Sequence, residues 1–238
     1  MTDETQDGRL ITRVGRIDRL RSWSVGLLRK VLPVSVKVLP QRFRGQFHDW
    51  RLGIRTEGWL SVREAHRKRM AFQDGTPYKP VDWRLLREVS MHLHTTREDE
   101  VFDLGCGKGR AVIHFALNHH VRRVVGIEIL PELARQAEEN LSRVKTISPA
   151  GIICCDAANV DLTTATILFL YDPFGEKTLT AILEGLRRSL GVNPRPIQIV
   201  CVNQVHRHVY EGQAWLEKTQ DINHRIWIWR GRDRFQLP

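Results

Sequence analysis

The sequence predicts an open, doubly wound α/β sheet over its second half, and three observations carry that expectation. Five apolar runs, VFDL (101–104), RRVVGIEI (122–129), GIICC (151–155), TILFLYD (166–172) and PIQIVCV (196–202), show little polar alternation, as expected of strands covered on both faces. The segments between them repeat apolar residues at helical spacing. A glycine-rich turn, Gly105-Cys106-Gly107-Lys108-Gly109, comes directly after the first run, where a strand hands over to a helix.

The individual elements follow from local chemistry. Leu133, Ala137, Leu141 and Val144 recur at i, i+4, i+8 and i+11 behind Pro131, a residue suited to the first helical turn. Leu179, Ile182, Leu183, Leu186 and Leu190 form a second stripe, with Gly191 as the expected stop. Ala111 to Leu117 is apolar nearly all round, which predicts a helix buried against the sheet. Near the C-terminus, Ile226 and Ile228 alternate with Trp227 and Trp229, predicting a closing antiparallel strand at or near a sheet edge.

The first hundred residues break this rhythm. Leu10, Val14, Ile17 and Leu20 form one stripe and Arg9, Arg13, Arg16 and Arg19 another, so residues 9–23 read as a basic amphipathic helix. Pro33 and Pro40 interrupt the apolar-basic stretch after it. The expected organisation is a basic helical extension over 1–74 and an α/β domain over 75–238.

Composition narrows the class. The chain has 238 residues, 42% hydrophobic and 27% charged, enough for one domain with an appendage. It holds no run of eighteen apolar residues, and MTDETQDGRL opens acidic and polar, unlike a secretory leader. Cys106, Cys154, Cys155 and Cys201 lack C-x-x-C spacing and read as small buried hydrophobes of a reducing compartment, which predicts a cytoplasmic protein. Net charge is +10; residues 1–100 carry 20 Lys and Arg against 13 Asp and Glu, the rest 17 against 14. A basic front half suits an acidic partner such as a nucleic acid, although a soluble protein of high pI explains it equally.

The glycine turn can be sorted by its neighbours. A triphosphate loop needs G-x-x-x-x-G-K-[ST], and Lys108 is followed by Gly109 and Arg110, with no hydroxyl for magnesium. The dinucleotide fingerprint G-x-G-x-x-G fails at Arg110. Asp103 stands two residues before the first glycine, where it would repel a pyrophosphate and suit a ligand carrying an ammonium group. S-adenosylmethionine has an ammonium, a sulfonium and no phosphate. Glu128, 23 residues after Gly105, can accept both ribose hydroxyls. Asp156 can accept from the adenine amine, and the Ala157 N–H can reach a ring nitrogen.

Together VFDLGCGKGR, VVGIEILPELARQAEENL, CCDAANVDL and LFLYDPFG resemble the class I S-adenosylmethionine-dependent methyltransferases over roughly residues 75–238. The resemblance implies a mostly parallel, seven-stranded, Rossmann-like sheet with S-adenosylmethionine as cofactor. It implies that Asp103 holds the methionine amino group, that Gly105, Gly107 and Gly109 let backbone approach the cofactor beside Cys106, and that Ile129 packs on adenine. Pro77-Tyr78-Lys79-Pro80 is similar to a Tyr-x-Pro segment of small lysine methyltransferases, implying that Tyr78 closes over the cofactor. The patch Gly53 to Trp59 (GIRTEGW) and the D-P-F-G motif resemble a group of small bacterial class I enzymes.

The acceptor is expected at the end of the fourth strand. N-methyltransferases commonly carry D/N-P-P-Y/F there; this chain has Asp172-Pro173-Phe174-Gly175, one proline short. The likeness implies that Asp172 and the Pro173 carbonyl hold an amine, that Phe174 stacks on it and that Tyr171 lines the wall. The predicted activity is methyl transfer to a protein lysine or small-molecule amine. RNA or another nucleic acid is the alternative acceptor, with an NAD-linked oxidoreductase or a non-catalytic binding module further off. His206 and His208 form an H-x-H without an evident carboxylate or cysteine partner, so no metal is expected.

Overall fold

The computed structural model describes residues 41–58 and 74–232, with side chains from Gly45 onward. The predicted helix over 9–23 lies outside these residues. The chain divides at Arg44/Gly45 into two units, and the sheet with its flanking helices belongs to the second.

Among the described residues, fourteen elements carry the fold in chain order. They are α1 (Gln41–Leu52), α2 (Trp83–His92), β1 (Glu100–Leu104), α3 (Arg110–Asn118), β2 (Arg123–Glu128), α4 (Pro131–Leu141), β3 (Ala150–Cys154), a 3₁₀ turn (Ala157–Asn159), β4 (Ile167–Leu170), α5 (Glu176–Val192), β5 (Gln198–Val202), α6 (Arg207–Glu211), β6 (Leu216–Ile222) and β7 (Ile226–Gly231). The seven strands form one sheet in the order β3-β2-β1-β4-β5-β7-β6. Strands β1 to β5 pair in parallel, and β7 runs antiparallel to both β5 and β6.

The sequence patterns explain most of this. Every residue of β1 and β4 is buried, which is why those runs lack alternation. One core packs α2 and α3 against one face of the sheet, with Leu86, Val112, Ile113 and Phe115 fully buried. The other packs the α5 stripe of Leu179, Ile182, Leu183 and Leu186 against the opposite face. Pro131 opens α4 as expected, whereas α5 runs one residue past Gly191 to Val192.

Two features depart from the sequence expectations. Strand β3 is a sheet edge and is covered on neither face as fully as its neighbours, which leaves Ile153 and Cys154 exposed and Cys155 half-buried. Two of the four cysteines are therefore not core residues. The IWIW strand, β7, is antiparallel and near the sheet edge as expected, one strand in; the edge itself is β6, whose polar run LEKTQDI matches its largely exposed burial pattern.

Strand order reverses between β1 and β4, so their carboxyl ends diverge and leave a crevice. The glycine turn and the D-P-F-G segment sit on its two sides.

Candidate cofactor site and acceptor rim

A cavity of about 360 Å³ occupies that crevice. Its walls include Tyr78, Asp103, Gly105, Cys106, Glu128, Ile129, Asp156, Ala157, Tyr171, Pro173 and Phe174, so residues expected at the cofactor and at the acceptor converge on one space. Gly107 and Gly109 shape the turn beneath it; Asp172 is not among the lining residues.

The turn needs its glycines for backbone reasons. Gly105, Gly107 and Gly109 have φ of 79°, 55° and 81°, the left-handed region where a side chain is strained. A Cβ on Gly107 would stand 2.2 Å from the Tyr78 ring, so that ring lies directly on the turn. Gly109 N-caps α3 without a side chain.

Two carboxylates give the cavity its charge. Asp103 and Glu128 are 3% and 6% exposed. Asp103 accepts from the Val112 N–H, and burial, reinforced by the Glu128 charge, raises its pKa to about 8. Burial also raises the Glu128 pKa, although its oxygens are braced by backbone: Oε2 accepts from Gly107 N–H at 2.8 Å and Oε1 from Leu130 N–H at 3.0 Å. Neither carboxylate has a cationic side chain bonded to it among the described residues. A buried, uncompensated pair of this kind fits a cationic ligand, and its remaining lone pairs can take an ammonium and ribose hydroxyls.

On the side where adenine is expected, Ile129 packs with Leu130, Leu133 and Tyr78 as one apolar cluster. Asp156 is exposed and spends Oδ1 on the Ala158 N–H at 2.9 Å, capping the 3₁₀ turn, while Oδ2 keeps only a long contact with Asn159.

The acceptor side differs from the expected picture. Asp172 has φ of 46°, and its Oδ1 accepts from the Val205 N–H at 3.3 Å. Its carbonyl accepts from Thr76 Oγ1 at 2.5 Å, and the Pro173 carbonyl accepts from Thr76 N–H at 3.1 Å. The two groups expected to grip an amine are thus already engaged in holding the loop. Tyr171, Pro173 and Phe174 form the wall instead. Asn203, also left-handed at φ 51°, brings Nδ2 to 3.4 Å from the Tyr171 hydroxyl.

Sequence reasoning missed the segment that laces this loop. Asp74 receives Thr178 N–H and its hydroxyl at the start of α5, and its carbonyl receives Gly175 N–H at 2.5 Å. Asp74 therefore satisfies a first-turn N–H of that helix from outside it, behind the Gly175 N-cap. It also missed a carboxylate for the H-x-H motif. Glu176, His206 and His208 bring ligand atoms within 4.8 Å of one another. The His208–Glu176 contact of 3.3 Å joins side chains 60% and 61% exposed, a solvated surface pair with no buried wall around it.

Comparison with known proteins agrees with this geometry. The methyltransferase-domain family model matches residues 101–192. A protein-lysine N-methyltransferase from Saccharolobus islandicus is 27% identical over 166 residues, covering 67% of this chain and 96% of that protein. A carboxy-S-adenosyl-L-methionine synthase from Haemophilus ducreyi is 25% identical over 77 residues, 32% of each chain. Among solved structures, an RNA methyltransferase from Salinibacter ruber in complex with S-adenosyl-L-homocysteine superposes with a TM-score of 0.51 at 22% identity, covering 67% of this chain and 97% of that one. The last likeness concerns the fold. With the strand order, the glycine turn and the paired carboxylates, these matches make the chain similar to the class I S-adenosylmethionine-dependent methyltransferases, with a methyltransferase domain matched over residues 101–192.

Proposed function

We propose that the protein transfers the methyl group of S-adenosylmethionine to an amine, with a protein lysine side chain as the acceptor. The observation that carries this reading is the size and placement of the cavity. At about 360 Å³ it stands at the small end of ligand pockets, enough for one small ligand. With the cofactor in it, the acceptor has to enter from the rim at Tyr171, Pro173 and Phe174, as a slender side chain on a larger body can. The lysine methyltransferase of Saccharolobus, matched over nearly its whole length, supports the same reading.

In this reading the residues have distinct roles. Asp103 holds the cofactor ammonium, Glu128 the ribose, and Asp156 with Ala157 the adenine, while Ile129 packs against its face. The glycine turn lets backbone approach the cofactor beside Cys106, and Tyr78 covers it. The transfer is an in-line displacement at the sulfonium carbon, so the acceptor side has to orient an unprotonated nitrogen and exclude water. Tyr171, Pro173 and Phe174 supply an apolar throat that disfavours the ammonium form of an entering lysine. Asp172 acts one step back, fixing the loop through Val205.

RNA as acceptor is the second reading, favoured by the net charge of +10. Tritiated methyl groups from S-adenosylmethionine, added with the enzyme to cell extract, separate the two. Label in protein that survives ribonuclease and appears as methyl-lysine after acid hydrolysis supports the proposal. Label lost to ribonuclease overturns it in favour of RNA.

A further inference from the structure

Arg110 stands where a dinucleotide fold has its third glycine, and it is 4% exposed on the cavity wall. A bare guanidinium there would work against the site, because a cation beside Asp103 and Glu128 offsets the field that attracts a sulfonium. The structure surrounds it. Arg110 Nη2 bonds Glu57 Oε1 at 2.7 Å and lies 3.3 Å from Asp49 Oδ1. Nε donates to Thr56 Oγ1 at 2.6 Å, Nη1 donates to the Val81 carbonyl at 2.9 Å, and the Trp83 ring lies 5.3 Å from the guanidinium carbon.

Asp49 is the hub. It is 4% exposed and accepts from Thr56 N–H at 2.6 Å, Thr56 Oγ1 at 2.7 Å, Glu57 N–H at 3.1 Å and Trp83 Nε1 at 3.2 Å. Lys108 closes the group by donating to the Glu57 carbonyl at 2.8 Å, with its ammonium over the Tyr78 ring. The network thus holds two cations and two anions, and its formal charge is zero. Beside it, Glu128, and Asp103 once a bound ammonium ionises it, remain uncompensated.

From this arrangement we propose that Asp49 and Glu57 are specificity-determining positioning residues: by cancelling the charge of Arg110 they keep the cavity anionic, and so make it prefer the cationic donor over the neutral product. S-adenosylmethionine carries one positive charge more than S-adenosylhomocysteine, at the sulfonium. A cavity with net negative field holds the first and releases the second. The same bonds lay residues 53–57 against the glycine turn and receive the Tyr78 hydroxyl on the Thr56 carbonyl at 2.5 Å. The inference rests on the cofactor assignment.

The test is calorimetric titration of the wild type, Glu57→Gln and Asp49→Asn with S-adenosylmethionine and with S-adenosylhomocysteine, at low and at moderate salt. Glu57 is partly exposed at 26%, so its glutamine variant is the safer to fold; a melting curve accompanies each protein. In Glu57→Gln the affinity ratio of donor to product falls roughly three- to tenfold, less at moderate salt, from one uncancelled charge near the cavity after solvent screening. Asp49→Asn moves the ratio the same way. An unchanged ratio in folded Glu57→Gln protein, whether both ligands weaken equally or neither does, overturns the proposal and leaves the network a structural brace. A wild type that binds neither ligand defeats the cofactor assignment instead, which is a different result.

Discussion

Replacing Glu128 by glutamine separates the job the structure shows for this carboxylate, bracing the glycine turn, from the one proposed for it, holding the ribose. The side chain is 6% exposed, and each of its oxygens already accepts a backbone N–H, from Gly107 at 2.8 Å and Leu130 at 3.0 Å. The ribose hydroxyls can use only the lone pairs left over. Glutamine keeps the shape but loses the charge, and its amide NH₂ has to face one of two N–H donors. Hydrogen bonds to a charged partner are worth a net of about 1.5–3 kcal/mol. At about 1.4 kcal/mol per tenfold, S-adenosylhomocysteine should bind roughly 10- to 150-fold more weakly. Independently, one orphaned buried N–H should lower folding stability by about 1–3 kcal/mol without any ligand. Calorimetric titration reads the first effect and the urea midpoint of unliganded protein reads the second. A dissociation constant within twofold of the wild type would refute the ribose assignment. A lost midpoint with normal binding would show that Glu128 only braces the turn.

Other expectations come from groups with displaced ionisation and from the turn itself. Asp103, raised to about 8 in the unliganded protein, is largely protonated at pH 7, whereas a bound ammonium favours its ionised form. Binding of S-adenosylhomocysteine at pH 7 should therefore release close to one proton and strengthen as pH rises, levelling off above about 8. Titrations in buffers of different ionisation enthalpy measure this, and Asp103→Asn should abolish the release; its persistence would assign the proton elsewhere. Burial, then the neighbouring His119, lowers the pKa of His114 to about 3, with Nε2 2.8 Å from Ser90 Oγ. Because the folded value lies below the ordinary 6.5, its contribution is complete above pH 6.5 and is lost as pH falls toward 3. At pH 5 the loss is about 2 kcal/mol, so His114→Asn should flatten the wild-type fall in urea midpoint between pH 7.5 and 5; parallel curves would refute this. Gly107→Ala should remove measurable cofactor binding, since its Cβ meets the Tyr78 ring at 2.2 Å and its φ is 55°; an alanine variant with normal affinity would place Tyr78 elsewhere.

How much of the fold and the site was legible in the sequence depended on the kind of signal. Strands β1, β2, β4 and β5 were visible because burial on both faces leaves an uninterrupted apolar run. Asp103 and Glu128 were visible as candidates because each stands at or one residue before the end of its strand, at a fixed distance from the glycines. Strand β6 was not, since an exposed antiparallel edge such as LEKTQDI has no apolar pattern to show. The Asp49–Arg110 pair was not, because 61 residues separate its members and a charged residue bound for the interior looks in sequence like one bound for the surface. Arg110 read only as a missing glycine; in the fold it anchors the segment over the turn. Asp172 lies in the loop that the D-P-F-G motif marks, but the motif does not reveal that the Val205 N–H reaches its carboxylate or that Thr76 donates to the Asp172 and Pro173 carbonyls. Among the described residues no helix is long and apolar enough to cross a membrane.

Every role proposed for the site residues rests on the cavity taking S-adenosylmethionine and not a dinucleotide. Calorimetric titration of the purified protein with S-adenosylhomocysteine and with NADH tests it directly. Saturable one-to-one binding of S-adenosylhomocysteine with no heat from NADH is the predicted result; tight NADH binding with no response to S-adenosylhomocysteine would contradict it.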